Sequence, residues 1–307
     1  MIYTGDCLKI LPTLEAESVH CCVTSPPYWG LRDYGVPGQL GLEPNPEQYV
    51  MKMVEVFSLV HRVLRNDGTL WINLGDTYTS GNRTHRRDAD SKNLAALQTF
   101  DRISTPPGLK PKDLIGIPWL VAFALQRAGW YLRQDIIWAK PNPMPESVTD
   151  RCTKSHEYIF LLTKSARYYY DAEAIKEDFA DDRMGNPNGG GQYAKDAFVL
   201  LGTQKGLSKG KWNEDGKMTG RNKRSVWTIT TRPFKEAHFA TFPPEIPEIC
   251  IKAGSKTGDT ILDPFSGAGT TGMVAEKLGR KYIGIELNPS YVSMSEDRIY
   301  AEVGGLL

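Results

Sequence analysis

The chain has 307 residues, a net charge of +1, 40% hydrophobic and 24% charged residues, the balance of a soluble globular protein long enough to bury one large core. No run of about 18 apolar residues occurs, which argues against a transmembrane helix, and the opening Met1-Ile2-Tyr3 reads as a strand and lacks the shape of a secretory signal. Five cysteines, an odd number that includes the adjacent Cys21-Cys22, form no disulfide framework and no zinc-spaced cluster, so buried reduced thiols in a metal-free cytoplasmic protein are expected.

Along the chain, the first strand is followed by Asp6 ahead of Leu8–Leu11, where a helix N-cap is one reading of the aspartate. The apolar Val19-His20-Cys21-Cys22 runs into Val23-Thr24-Ser25-Pro26-Pro27-Tyr28-Trp29-Gly30. Two consecutive prolines donate no backbone hydrogen bond, so the strand must stop there and leave Ser25, Tyr28 and Trp29 on a stiff loop. Asn45-Pro46 starts a helix with an apolar face at Val50, Met53, Val54, Phe57, Val60 and Leu64, ended by Asn66-Asp67-Gly68. A strand over Thr69–Leu74 follows. Pro118 opens a stretch whose all-round apolarity predicts a buried helix up to Gly129. Strands are expected at Gln134–Trp138, Glu157–Leu162, Thr260–Leu262 and Tyr282–Ile285, with helices over Pro244–Ala253, from about Thr270 and from Asn288-Pro289. Strands alternating with helices predict an α/β fold with a doubly wound, mostly parallel sheet. Residues 79–112 and 176–224 show no clear period, and long irregular segments of this kind are commonly functional or disordered.

Near the C-terminus, Ile261-Leu262-Asp263-Pro264-Phe265-Ser266-Gly267-Ala268-Gly269-Thr270 joins a strand to a helix through a glycine-rich turn. About 20 residues beyond the first glycine, the run Tyr282–Ile285 ends in Glu286, placed to hold the hydroxyls of a ribose. Such a pattern signals an adenosine-containing cofactor.

Taken together, these segments resemble the amino-methylating DNA methyltransferases. Ser-Pro-Pro-Tyr at 25–28 resembles their catalytic motif and Asp-Pro-Phe-Ser-Gly-Ala-Gly-Thr at 263–270 their S-adenosylmethionine motif. The catalytic motif comes first, which is the circularly permuted order called the beta class. Tyr3–Asp6, Gly68–Asn73, Ile137–Asn142 and His238–Pro243 resemble further family elements in the expected order. The resemblance implies a Rossmann-like methyltransferase fold. Residues 1–171 and 236–307 would form the catalytic domain, 172–235 an inserted target-recognition region, and 79–112 a second loop clamping DNA.

The resemblance also assigns roles. Ser25 and the Pro26 carbonyl accept hydrogen bonds from the target amine, with Pro27 stiffening the loop. Tyr28 stacks on a base flipped out of the duplex, because the amine is otherwise inaccessible. Trp29, Trp138 and Lys140 are further candidates around the base, with Trp29 either lining the pocket or supporting it from behind and Trp138 also read as a core tryptophan. Asp6, Thr24, Phe242, Pro243, Asp263, Pro264, Phe265, Ser266, Gly267, Gly269, Thr270 and Glu286 are the candidates for binding S-adenosylmethionine. Serine at position 25 goes in the family with cytosine N4 more often than with adenine N6, and N4 is favoured here. Methylation at cytosine carbon 5 needs an activated cysteine, and no Pro-Cys pair occurs.

Basic residues cluster between Lys195 and Lys235, among them Arg221, Lys223 and Arg224, and a smaller group at Arg83, Arg86 and Arg87 adds to them. Clustered cations supply phosphate contacts to double-stranded DNA. The expected setting is the cytoplasm, with a bacterial or phage-encoded enzyme and no membrane association. A restriction endonuclease counterpart and a solitary or phage-borne enzyme both stay open, as does the oligomeric state, although members of this class often dimerise. Three rivals share parts of this pattern, one of them a non-catalytic DNA-binding relic of the fold, against which the intact Ser25–Tyr28 and glycine turn argue. Gly267-x-Gly269-x-x-Gly272 with Glu286 formally matches a nicotinamide dehydrogenase fingerprint, and RNA or a protein amide offers alternative substrates for the same chemistry.

Overall fold

The computed structural model of the chain describes residues 1–79, 105–106, 108–177, 220–232 and 241–304. It comprises two compact units, Met1–Tyr170 with Ser225–Leu307, and Asp171–Arg224. The first unit carries β1 (Ile2–Thr4), α1 (Cys7–Ile10), β2 (Val19–Thr24), α2 (Pro46–Val63), β3 (Leu64–Leu74), α3 (Ile117–Arg127), β4 (Tyr131–Ala139) and β5 (His156–Thr163). It continues with β6 (Val226–Thr228), α4 (Glu245–Gly254), β7 (Thr260–Asp263), α5 (Thr270–Lys277), β8 (Lys281–Glu286) and α6 (Pro289–Val303).

The eight strands form one sheet in the order β1-β8-β7-β2-β3-β5-β4-β6. From β1 through β3 all neighbours are parallel; β5 runs antiparallel between β3 and β4, and β6 is parallel to β4. The mostly parallel, doubly wound sheet is thus present. At its centre β7 and β2 lie side by side. The chain leaves β7 for β8 on one flank and β2 for β3 on the other, a topological switch point, where a crevice opens outside the carboxyl ends of the strands. Because β5 runs backwards, its first residues, His156 and Glu157, arrive at this same end, with Tyr158 opposite Leu74.

Helix α2 shows how sequence sets packing. Asn45 accepts a hydrogen bond from the Gln48 N–H at 2.9 Å, Pro46 occupies the first turn, and Tyr49, Met53, Val56, Phe57, Val60 and Val63 are buried. Each such apolar side chain contributes roughly 1.5–3 kcal/mol of transfer free energy. The expected face is therefore turned slightly, and the helix stops earlier than Asn66-Asp67-Gly68. Leu64 already pairs with Val19 in the sheet, and the pairing then jumps to Cys21 opposite Thr69, so Arg65–Asp67 form an exposed excursion within β3. Helix α3 is not buried all round. Val121, Ala122 and Leu125 face the core, while Leu120 and Phe123 are exposed.

Two further expectations change. Residues 225–232, assigned to the insertion, belong to the sheet-bearing unit through β6. Four cysteines are buried, but Cys152 is exposed. Most of the 79–112 loop and the centre of the recognition region lie outside the described residues, as do His238, Phe239 and Ala240. Among the described residues no helix is long and apolar enough to cross a membrane.

Candidate active site

A cavity of about 300 Å³ opens at the switch point, within the sheet-bearing unit. Asp263 ends β7, is buried, and holds the cavity floor. Its Oδ1 accepts hydrogen bonds from the Thr24 hydroxyl at 2.6 Å and from the Phe265 N–H at 3.0 Å. The carboxylate thereby joins the end of β2 to the glycine turn. Burial pushes its pKa up to about 6, against the pull of these hydrogen bonds.

Glu286 ends β8. Its Oε2 accepts from the Gly267 N–H at 2.9 Å and its Oε1 from the Asn288 N–H at 2.8 Å, which fixes the carboxylate at the cavity wall. Burial raises its pKa and the backbone donors oppose that rise. Gly269, which caps α5, has φ +71°, and a Cβ there would lie 2.8 Å from the Ser295 Cβ. This turn therefore admits only glycine, for conformation and for space. Asp6 caps α1 by accepting from the Leu8 N–H at 2.9 Å and also lines the cavity, so the two readings of that residue coexist.

The other end of the cavity is a network of side chains. The Tyr28 hydroxyl donates to Glu157 Oε2 at 2.7 Å and accepts from Asn73 Nδ2 at 2.7 Å and from the Ser25 hydroxyl at 3.2 Å. Asn73 Nδ2 also donates to Glu157 Oε2 at 2.8 Å, and Lys140 forms an ion pair with Glu157 Oε1. Burial first, and the Glu157 charge next, push the Tyr28 phenol well above its ordinary range, which keeps it a donor. The ring lies against Gly75, where a Cβ would come within 2.6 Å of it. The Tyr49 hydroxyl anchors the loop by donating to the Pro27 carbonyl at 2.9 Å.

Several candidate residues therefore meet at one cavity: Asp6, Ser25, Pro26, Pro27, Tyr28, Phe242, Asp263, Pro264, Phe265, Ser266, Gly267, Thr270 and Glu286 all line it. Others do not. Thr24 is buried behind Asp263, Gly269 stands against Ser295, and Pro243 lines a separate cleft beside α5 and α6. Trp29 is buried and donates to the Glu43 carbonyl, and buried Trp138 donates to the Ile229 carbonyl, so neither tryptophan reaches the cavity. Lys140 stacks its ammonium 4.3 Å from the Trp138 ring centroid and acts on the site through Glu157. In the second unit, Arg221, Lys223 and Arg224 converge on the carboxylate of Glu177 at 3.4, 3.4 and 2.9 Å. Part of their charge is thus balanced internally.

Sequence reasoning missed Glu157 and Asn73, and also Arg32, Tyr34 and Tyr291, which line the cavity. Adjacency to the Ser25–Trp29 loop was the available signal for Arg32 and Tyr34. No local pattern marks Glu157.

The cavity's charge selects among ligands. Asp6, Glu157, Asp263 and Glu286 line it, with Arg32 as the one cationic lining residue among those described. Such a wall disfavours the pyrophosphate of a dinucleotide and suits a nucleoside carrying a positive charge. The volume falls at the lower end for small-molecule sites.

Comparison with known proteins agrees. The sequence profile of the DNA methylase family matches residues 19–297. The Type II methyltransferase M.Cfr9I of Citrobacter freundii is 50% identical over 301 residues, covering 98% of this chain and 88% of its own length. M.SmaI of Serratia marcescens is 49% identical, covering 97% and 90%. A putative DNA modification methylase from Thermus thermophilus, solved in complex with S-adenosyl-L-methionine, superposes with a TM-score of 0.60 at 24% identity over 99% of this chain and 94% of its own. The cytosine-N4-specific PvuII DNA methyltransferase superposes with a TM-score of 0.63 at 19% identity over 99% and 90%. Fold, cavity and sequence lead to one assignment: the chain belongs to the N6/N4 DNA methylase family, the S-adenosylmethionine-dependent enzymes that methylate exocyclic amines of DNA bases.

Proposed function

We propose that this protein transfers a methyl group to cytosine N4 in double-stranded DNA. The observation that carries this reading is that one cavity joins the Asp263–Glu286 cradle to the Ser25–Tyr28 corner. S-adenosylmethionine, when bound, supplies an electrophilic methyl group on a positively charged sulfur. Glu286 holds the ribose hydroxyls, the backbone around Gly267 supports the methionine portion, and Asp6 binds the adenine amine. The walls that suit this ligand are the fixed Glu286 carboxylate and the acidic lining.

At the other end, Tyr28 offers a ring immobilised at both its hydroxyl and its face, a platform for a flipped base; stacking of this kind contributes roughly 1–3 kcal/mol. The amine lone pair of a base is delocalised into the ring. Ser25 Oγ and the Pro26 carbonyl accept its N–H bonds and hold the lone pair out of conjugation, so catalysis is chiefly alignment. Serine at position 25 favours N4 of cytosine; N6 of adenine fits the same mechanism. Residues 172–224, with Arg221, Lys223 and Arg224, and the 79–112 loop are assigned to DNA contact. A restriction endonuclease counterpart, a homodimer and a bacterial or phage-infected cytoplasm are compatible with the resemblance.

Incubation with methyl-labelled S-adenosylmethionine and unmethylated mixed-sequence DNA, followed by nucleoside mass spectrometry, tests the reading. N4-methylcytosine is the expected product. N6-methyladenine would correct the base, and label in neither would refute DNA amine methylation.

A further inference from the structure

The Ser25–Tyr28–Glu157 network has a direction. An ionised carboxylate only accepts, so the single phenolic proton of Tyr28 is committed to Glu157 Oε2 at 2.7 Å. The Ser25 hydroxyl, 3.2 Å from the Tyr28 oxygen, must then spend its own proton on Tyr28. Among the described residues Tyr28 is the hydrogen-bond partner of Ser25 Oγ, and Ser25 lines the cavity. The lone pairs of Oγ are what remains for a ligand.

A second observation supports this reading. Asn73 is 3% exposed and turns its Nδ2 to both Tyr28 and Glu157, while its Oδ1 is buried without a hydrogen-bond partner among the described residues. Leaving a buried acceptor unpaired is costly, so the fold favours donors around Tyr28 and Glu157 over satisfying Asn73. Lys140 supplies the counter-charge that holds Glu157 in place from the other oxygen.

We propose that Glu157 is a specificity-determining positioning residue: through Tyr28 it fixes Ser25 Oγ as an acceptor toward the cavity, so the site takes a base presenting an exocyclic amine and rejects one presenting a carbonyl there. The proposal rests on the reading that a flipped base enters the Ser25 corner. An amine donates to Oγ, whereas a carbonyl would set oxygen against oxygen with no proton between them.

The test is equilibrium DNA binding without cofactor, at the target position mapped by methylation. Cytosine, uracil or no base is placed there, each opposite an abasic site so that unpairing costs are equal; adenine and hypoxanthine replace the pair if the mapped base is adenine. Wild type is expected to bind the amine-bearing base on the order of ten-fold more tightly than its carbonyl counterpart. Tyr28→Phe frees the Ser25 hydroxyl to rotate and donate, and should shrink that preference to about two-fold or less while the protein melts normally. Glu157→Ala frees the Tyr28 proton for Ser25 and should do the same. A preference absent from wild type, or one retained in Tyr28→Phe, overturns the proposal. Equal binding of duplexes with and without a target base would instead refute base entry, and the proposal with it.

Discussion

The two ends of the cavity are built from different material. The Asp263–Glu286 end, proposed to hold the cofactor, is mostly backbone: a glycine turn, two strand ends, and carboxylates that collect N–H groups from residues within about 20 positions of themselves. The Ser25–Tyr28 end, proposed to take the base, is made of side chains brought from afar, with Tyr28 bonded to residues 45 and 129 positions away. Local backbone cradles tolerate change in their surroundings. A network of distant side chains holds its geometry only if every member is present, and small displacements at a reacting centre are expensive.

Mutation of each end should separate the two. Tyr28→Ala is expected to slow single-turnover methylation by at least about 10²-fold while cofactor affinity, read by calorimetry, stays within about two-fold. Equal loss of both would mean that the ends are not independent. Glu286→Ala should weaken cofactor binding by roughly 10–100-fold, the worth of hydrogen bonds to a charged group, with little change in the saturated rate. Normal affinity in that variant would remove Glu286 from the site.

Asp263 sharpens the contrast through pH. Its folded-state pKa, raised by burial to about 6 from 3.8, means that the folded protein binds its proton more tightly than the unfolded chain does. The stability this provides is present at low pH and is lost as pH rises through 6. Between pH 5 and 7, wild type should lose about 1 kcal/mol of unfolding free energy relative to Asp263→Asn. Parallel urea-derived curves for the two proteins would show that Asp263 does not titrate in this range. The smallest effect is expected in the second unit, where Arg224→Ala should lower the slope of log affinity against log salt by about 1. An unchanged slope would place Arg224 away from phosphate.

What the sequence disclosed follows the same division. The strand–turn–helix at 261–270, the strand ending in Glu286 and the double-proline stop at 26–27 are local patterns, and each element stands where its periodicity puts it. Tyr28 and Ser25 were legible as loop residues at a strand end. Glu157 was not, because its membership depends on the antiparallel return of β5 beside β3, which no spacing announces. Trp29 and Trp138 show the opposite case: next to catalytic-looking residues, the sequence left open whether an indole meets the base or is spent on a backbone carbonyl in the core, and the structure has both in the core. The true limits of α2 were hidden because Leu64 fits both a helical stripe and the strand that claims it.

The adjacency of β2 and β7 also has a kinetic side. Cys21 and Cys22 pair with Ile261 and Leu262, so the central seam of the sheet joins segments some 240 residues apart. During synthesis β2 must wait for nearly the whole remaining chain, one flank uncovered, and closing so long a loop slows folding. Its apolar Val19–Thr24 segment is therefore an aggregation hazard in the nascent chain. Refolding yield should be limited at this seam, and a chaperone that shields short apolar strands would act there first.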